Sequence, residues 1–454
     1  MNNNPTYQHP LCSPCATCDE LNTTTTRKQD ENETKTTAND AVRCVPQLRF
    51  PEFQNAGEWK FVYGNELFVP ISNKNHNSDL PILAISQEYG AIPRTFIDYN
   101  VIVSKESISG YKVVEKGDFI ISLRSFQGGI EYSNYKGLCS PAYIILRKRE
   151  TIYDIFYKYY FKSYQYIQEL NRKLEGIRDG KMVSYKQFSE IPIPYTLYEE
   201  QQKIALFLQS IDNYIYKTDR ELKQLQTHKK ALLQVLFPQR GKSLPQLRFP
   251  DFQNAGEWDT KYLGEITIVV NKRNRSNRSL PIYSISNKDG FLLQAEQFDG
   301  LDSVRRGYDI SMYKIVGKNT FAYNPARINV GSIGYSNNLK EVLISSLYVC
   351  FKTTEEIDDS FLKCYFDTEH FRQSVDNSVE GGIRSYLFYE NFSKIKIQLP
   401  SLQEQKQIAS TLMAINGLIE MIENKIALLE DYKKGLLQRL FPSLNKLNYG
   451  NFNI

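Results

Sequence analysis

Two stretches of fourteen residues constrain this chain more than anything else in it. Pro46–Trp59 reads PQLRFPEFQNAGEW and Pro245–Trp258 reads PQLRFPDFQNAGEW, the same at 13 of 14 positions at an offset of 199. Self-similarity at a long, fixed period marks a repeated structural unit. The echo continues: Leu80-Pro81-Ile82 followed by Ile85-Ser86 returns as Leu280-Pro281-Ile282 followed by Ile285-Ser286, and Tyr111-Lys112-Val113-Val114 returns as Tyr313-Lys314-Ile315-Val316. Both halves then reach a Glu-Gly-Ile-Arg type loop, Glu175 to Arg178 and Glu380 to Arg384, the second with an extra glycine. Finally Ser189–Pro238 aligns without a gap to Ser393–Pro442, with 19 of 50 positions identical. The chain is a tandem duplication of about 200 residues whose ends are more alike than its middles. Alike ends imply the same structural partner for both copies; unlike middles, Phe61 to about Tyr185 and Tyr262 to about Tyr389, imply different targets.

The shared tail of each repeat carries a seam. Apolar residues fall at Ile204, Leu208, Ile211, Ile215, Leu222, Leu225, Leu232 and Leu236, with Thr218 and Lys229 filling the two remaining places of an alternating four-three spacing. The second copy gives Ile408, Leu412, Ile415, Ile419, Ile422, Ile426, Leu429, Leu436 and Leu440, broken only by Lys433. Sustained four-three spacing is the seam of a coiled coil rather than the broader stripe of a surface helix. Each helix stops at Leu-Phe-Pro, because proline cannot continue it. From Ile204 to Leu236 the seam runs about 48 Å at roughly 1.5 Å per residue. If the second helix buries its seam against the first, it must run back antiparallel.

The expected fold is therefore α+β: a tandem duplication of two mixed α/β target-recognition domains separated by two long antiparallel coiled-coil helices and related by a pseudo-two-fold axis. Its parts are a disordered extension over 1–43, domain one over 44–196, helix one over 197–238, domain two over 239–400, helix two over 401–442 and a tail over 443–454. A rod of this length suits two readers on successive turns of DNA, whose half-sites repeat about every 34 to 36 Å.

The divergent middles alternate strand-like runs, such as Asp118-Phe-Ile-Ile-Ser-Leu123 and Val342 to Phe351, with glycine-marked turns. Cations gather where loops are expected. Lys272, Arg273, Arg275 and Arg278 lie in one segment that contains no acid. Arg305 and Arg306 follow a turn, Arg327 sits in Asn324-Pro-Ala-Arg327, and Arg124, Gln127 and Arg147 mark strand ends of the first copy. Arg178, Lys181 and Arg384 belong to the Glu-Gly-Ile-Arg loops. Arginine and glutamine match the edges of guanine and adenine, while lysine mostly grips phosphate. These thirteen residues are the candidate DNA contacts, and the apolar seam residues from Ile204 to Leu225 and from Ile408 to Leu429 the candidate interface of the coiled coil.

The net charge of +5 permits a polyanionic partner without demanding one. No apolar run spans a bilayer and the amino terminus lacks a signal-peptide order, so a cytoplasmic location is expected. Cys12, Cys15 and Cys18 are spaced like metal ligands, but their surroundings are rich in Asn, Thr and charge, which favours a disordered tail without metal. There is no Walker loop, no strand-glycine-helix nucleotide pocket and no histidine paired for catalysis among the four present. Asn324-Pro-Ala-Arg lacks the second proline and the aromatic of a methyltransferase loop that stacks on a flipped base. Glu221-Leu-Lys223 and Asp431-Tyr-Lys433 have nuclease-like spacing but fall on the helices, as surface charges. No catalytic residue is assigned.

Ile191-Pro-Ile-Pro194 with Glu199-Glu-Gln-Gln-Lys-Ile-Ala205, Ile395 to Pro400 with Leu402-Gln-Glu-Gln-Lys-Gln-Ile-Ala409, and the helix ends at Lys229-Lys230 and Lys433-Lys434 together resemble the specificity subunit of type I restriction-modification enzymes. The resemblance covers residues 46 to 442, and the segment before about Arg43 has no counterpart in it. It implies two domains that each read one half of a split, asymmetric DNA sequence, with the helices fixing the gap. It also implies double-stranded DNA, two methyltransferase subunits and restriction subunits as partners. S-adenosylmethionine, ATP and magnesium would then belong to those partners, leaving this chain without cofactor or catalysis. A coiled-coil scaffold without DNA readout would explain the helices but would leave the divergent domains idle.

Overall fold

The computed structural model describes residues 44–77, 79–97, 108–149, 152–172, 183–378 and 386–442. Head one runs through β1 (Lys60–Tyr63), β2 (Phe68–Ile71), β3 (Leu83–Ser86), β4 (Gly90–Pro93), β5 (Lys112–Val114), β6 (Phe119–Ile121), β7 (Glu131–Tyr132), β8 (Gly137–Cys139) and β9 (Ile144–Lys148). Helices α1 (Asp154–Tyr160) and α2 (Tyr164–Arg172), strand β10 (Pro192–Tyr195) and the long helix α3 (Tyr198–Leu236) follow. Head two repeats the order as β11 (Asp259–Tyr262), β12 (Thr267–Val269), β13 (Ile282–Ser286), β14 (Gly290–Leu293), β15 (Lys314–Val316), β16 (Phe321–Tyr323), β17 (Ile333–Tyr335), β18 (Val342–Ile344) and β19 (Val349–Thr353). It closes with α4 (Asp359–Phe366), α5 (Glu369–Ser378), β20 (Lys396–Leu399) and the long helix α6 (Leu402–Leu440).

Both heads use one plan. The first and last strands pair antiparallel, β1 with β10 and β11 with β20, so each head closes on itself before its helix leaves. A four-stranded antiparallel sheet follows, β2-β9-β6-β7 in head one and β12-β19-β16-β17 in head two. Its central strand is apolar throughout because both faces are covered. Alternation then divides it: Phe119 and Ile121 enter the main core while Ile120 enters a smaller core on the other face. Phe321, Tyr323 and Ala322 divide in the same way. Head two has a second sheet, β14-β13-β18-β15. Head one has it in two pieces, β3-β4 and β5-β8, joined by the isolated bridge Ile82 to Leu138.

The two long helices pack along each other, 39 residues apiece. Their direction is set by side-chain pairs. Asp212 near the start of α3 meets Lys433 near the end of α6 at 2.5 Å, and Gln226 meets Glu423 at 3.5 Å. Lys425 Nζ lies 4.8 Å from the ring centre of Tyr214. The pair is antiparallel, and every seam position is buried or half-buried. Each end of the rod is built into a head. Ile204, Leu208 and Ile211 share the core of head one with Leu436, Leu440 and Phe441 of α6, while Ile408 and Leu412 share that of head two with Leu233, Leu236 and Phe237. The rod thus joins two cores, and neither helix belongs to one head alone.

The seam's three polar residues have partners. Thr218, buried, donates back to the Tyr214 carbonyl at 2.9 Å. Lys229 reaches Asp367 of head two at 2.8 Å, and Lys433 reaches Asp212, which also accepts from Tyr159 of head one at 2.7 Å. A lysine at a seam costs packing, and here each gains an ion pair where a helix meets the head at its far end.

The repeated joint explains its own likeness. Arg49 donates twice to the buried carboxylate of Glu200, at 2.6 and 2.8 Å, and Arg248 does the same to Glu404, at 2.7 Å twice. The neighbouring Gln201 accepts from the Tyr153 amide and donates to the Thr196 carbonyl, while Gln405 accepts from the Asp358 amide. The arginine of the fourteen-residue stretch and the Glu-Gln at the helix start are therefore one structural device, used twice.

Candidate nucleic-acid interface

After its central strand each head makes a short turn, and both turns are built alike. Arg124 precedes the turn Ser125–Gly128 with φ −113° and ψ 9°. Arg327 precedes the turn Ile328–Val330 with φ −138° and ψ 11°. A glycine with positive φ ends each, Gly129 and Gly331. At Gly129 this is also a matter of space, because an added Cβ would clash with the Phe161 carbonyl oxygen. Arg124 and Arg327 thus hold equivalent places in the two heads, and both side chains are exposed. Gln127 is exposed on the same turn as Arg124.

The turn between the third and fourth strands of each repeat packs beside these arginines. Gln87 donates to the Arg124 carbonyl at 3.1 Å in head one. In head two Gly290 lies against Gly334 so closely that an added Cβ on either would meet the other at 3.0 to 3.2 Å. The Asn324–Arg327 segment is tied in turn to the far loop of its head, since the Leu387 amide donates to the Pro325 carbonyl at 3.0 Å. Beside it Tyr386 and Phe388 stack, ring centres 5.7 Å apart and 6° from parallel.

The basic segment of head two is organised rather than loose. Asn274 is buried, donates to the Arg278 carbonyl at 3.1 Å and accepts from the Arg278 amide at 2.9 Å. Asn277 adopts φ +52°, which asparagine tolerates better than most residues. This frame holds Arg273 and Arg275 exposed, Arg273 with a 3.7 Å contact to the Met312 sulfur.

Several candidates prove to be engaged inside the protein. Arg147 grips Asp118 with two bonds of 2.7 Å, which ties β9 to the strand end at Asp118. Lys272 and Arg278 both pair with Glu341, at 3.0 and 2.6 Å, so the segment that holds no acid of its own meets one from a distant turn. Arg306 is sandwiched between Phe298 and Tyr308, its guanidinium 4.4 and 5.4 Å from the ring centres. Arg305 donates to the Gly300 carbonyl at 2.7 Å. Arg178, Lys181 and Arg384 lie outside the described residues. Among the described residues no charged or carbonyl partner engages the side chains of Arg124, Gln127, Arg273, Arg275 and Arg327, and all five are exposed.

The sequence reading missed a cleft in head two. Between the last turns of α3 and the turns at Asn287–Gly290 and Ile328–Gly331 lies a cavity of about 1130 Å³. Lys230, Arg240, Lys288 and Lys363 line it. The aligned turns carried the signal, for Gln87-Glu88-Tyr89 and Asn287-Lys288-Asp289 occupy the same place and differ in charge. Among the described residues no group of histidine, cysteine and acid side chains is arranged to hold a metal, and no helix is long and apolar enough to cross a membrane.

Two heads on a shared rod, each presenting an arginine turn, define a two-part recognition protein. The type I restriction modification DNA specificity domain matches the chain twice, over residues 58–227 and 256–431. The chain belongs to this family and is a DNA-recognition subunit of the type I restriction-modification kind. It is 25% identical over 358 residues to the type I restriction enzyme MjaVIII specificity subunit of Methanocaldococcus jannaschii, covering 75% of this chain and 82% of that one. It is 23% identical over 366 residues to the putative MjaX specificity subunit of the same organism, covering 76% and 82%. In fold it resembles the type I restriction-modification S subunit from M. genitalium, with a TM-score of 0.50, 15% identity and coverage of 88% of this chain and 99% of that one. A chain solved in work on assembly and conformational transition of the type I R-M system matches with a TM-score of 0.50 at 16% identity, covering 85% and 97%.

Proposed function

We propose that each head reads one half of an asymmetric DNA site, that the rod fixes the gap between the halves, and that methylation and cleavage are carried out by partner subunits. The observation that carries this reading is the antiparallel rod with each end built into a different head core. Such a rod keeps two readers at a set separation, as a split site requires. Arg124 and Gln127 are proposed as base contacts of head one, and Arg273, Arg275 and Arg327 as contacts of head two. The residues with internal partners, Arg147, Lys272, Arg278 and Arg306, shape those surfaces instead.

Two helices alone leave flanks uncovered, and Leu418, Met421, Leu428 and Tyr432 of α6 are exposed there with Tyr214 and Tyr216 of α3. Exposed apolar side chains along a rod suit docking of methyltransferase subunits. Those subunits would bring S-adenosylmethionine, and restriction subunits would bring ATP and magnesium chemistry. This chain contributes recognition and no turnover.

Lengthening the rod tests the reading. Three heptads inserted at facing points, after Leu222 and after Ile422, preserve the seam and add about 32 Å at roughly 1.5 Å per residue. That is close to one DNA turn, so the methylated site should keep both half-sequences with a gap longer by about nine or ten base pairs. A folded, active insertion variant that methylates the original spacing would contradict the rod's role.

A further inference from the structure

We propose that head two contains a phosphate-gripping cleft that head one lacks, and that it holds the DNA backbone beside the half-site read by Arg327. The proposal rests on the DNA reading above. It begins from a difference between the two copies. In head one β7 pairs with β6 so that Glu131 faces Ile120 and Tyr132 faces Phe119. In head two the same places are taken by Gly334 facing Ala322 and Tyr335 facing Phe321. The alignment is anchored by Tyr132, which donates to Asp154 at 2.8 Å, and Tyr335, which donates to Asp359 at 2.5 Å. Counting on from those acids, Lys162 of head one corresponds to Asp367 of head two.

In head one these two positions form a plug. Lys162 Nζ donates to Glu131 at 2.5 Å, to the Gly128 carbonyl at 2.9 Å and to the Gln87 carbonyl at 3.3 Å. In head two glycine replaces the acid, and Asp367 pairs with Lys229 of the rod, both on the lining of the cleft. What remains is the cavity of about 1130 Å³, with Gly290, Gly331 and Gly334 along one wall. A wall without side chains lets a bulky, charged group come close to the backbone.

The charge of the cleft selects its occupant. Lys230, Arg240, Lys288 and Lys363 are exposed on it, and no ion pair engages them among the described residues. Lys288 stands where head one has Glu88, while the exposed Asp289 beside it, also on the cleft, stands where head one has Tyr89, so the turn goes from one net negative charge to none. His370, also on the cleft, is held below its usual range, first by burial and then by the nearby Arg240 charge. Lys229 and Arg372 are already paired, with Asp367 and Glu369. The cleft is also continuous with the reading surface, for Ile328–Val330 begins at Arg327 and lines the cavity. Cations without an ion pair, on a cleft that adjoins the turn after Arg327, suit the sugar-phosphate backbone of the same duplex.

The test uses the full chain assembled with its methyltransferase partners and measures duplex affinity across salt concentrations. Lys288→Gln with Lys363→Gln should lower affinity on specific and unrelated sequences alike. The slope of log affinity against log salt should fall by about 1.8, at roughly 0.9 for each lost phosphate contact. A second variant, Gly334→Glu with Asp367→Lys, writes the plug of head one into head two and should have the same effect. Its added Cβ lies close to Gly290, so the glutamine pair at exposed lysines decides the matter if this variant misfolds. An unchanged slope and affinity in the folded glutamine variant overturn the cleft assignment while leaving DNA recognition standing. So does binding of inorganic phosphate that vanishes in that variant while the DNA slope stays fixed, since the cleft is then a small-anion site. No salt-dependent duplex binding by the unmodified complex overturns the DNA reading and the cleft with it.

Discussion

Glu200→Ala should destabilise the protein by about 3 to 5 kcal/mol, the range for removing one partner of a buried ion pair. Glu200 is fully buried and accepts from Arg49 twice, from Trp59 Nε1 at 3.0 Å and from the Thr196 hydroxyl. Alanine leaves a guanidinium with 6% side-chain exposure and, among the described residues, only the Gly57 carbonyl as a remaining hydrogen-bond partner. Glu404→Ala should cost less by about two hydrogen bonds, roughly 2 kcal/mol, because among the described residues Trp258 Nε1 has no partner and no hydroxyl donates to Glu404 as Thr196 does to Glu200. Replacing both members, Arg49→Met with Glu200→Leu, should recover much of the loss, since a buried pair is worth little more than well-packed apolar residues. Urea unfolding followed by tryptophan fluorescence is suited to this test, because the only two tryptophans, Trp59 and Trp258, sit at the two joints. A loss below about 1 kcal/mol for Glu200→Ala would show that the joint is not held by this pair.

Arg124→Ala and Arg327→Ala should each relax selectivity at one position in one half of the DNA site and spare the other half. The two arginines hold equivalent turns in different heads, both exposed and both beside the β-turn that closes the third and fourth strands. A bidentate arginine contact to guanine is worth about 1 to 3 kcal/mol of discrimination, which is roughly 5- to 150-fold per position. Methylation in cells carrying the Arg124 variant should therefore relax at one half-sequence, and in the Arg327 variant at the other. Equal weakening of both halves by either variant would assign these arginines to phosphate contact rather than to reading.

The rod was the most legible part of the sequence, because a four-three seam has no other physical reading over that length. Lys229 and Lys433 were visible as interruptions, but their partners Asp367 and Asp212 lie far along the chain and emerge only when the helices turn antiparallel. The repeated stretch around Arg49 and Arg248 announced a shared structural role without showing that it closes on Glu200 and Glu404, more than 150 residues later. The internal partners of the cation clusters were hidden for the same reason. The segment from Lys272 to Arg278 contains no acid, yet Glu341 neutralises two of its four charges from another turn. Arg147 stood at a strand end in the sequence with no sign of its partner Asp118, 29 residues earlier. Counting charges along a chain overstates the free ones, because a fold draws their partners from a distance. The cleft of head two escaped notice because it is a matter of what is missing, a glycine where the other copy has a glutamate.

Sequencing of methylated bases in cells that carry the chain with its methyltransferase partners, against cells lacking the chain, tests the central claim most directly. The account predicts that one bipartite motif appears with the chain and vanishes without it, two unlike half-sequences separated by a gap of constant length. A single contiguous motif, or half-sequences joined by a gap of varying length, would contradict two heads fixed on one rod.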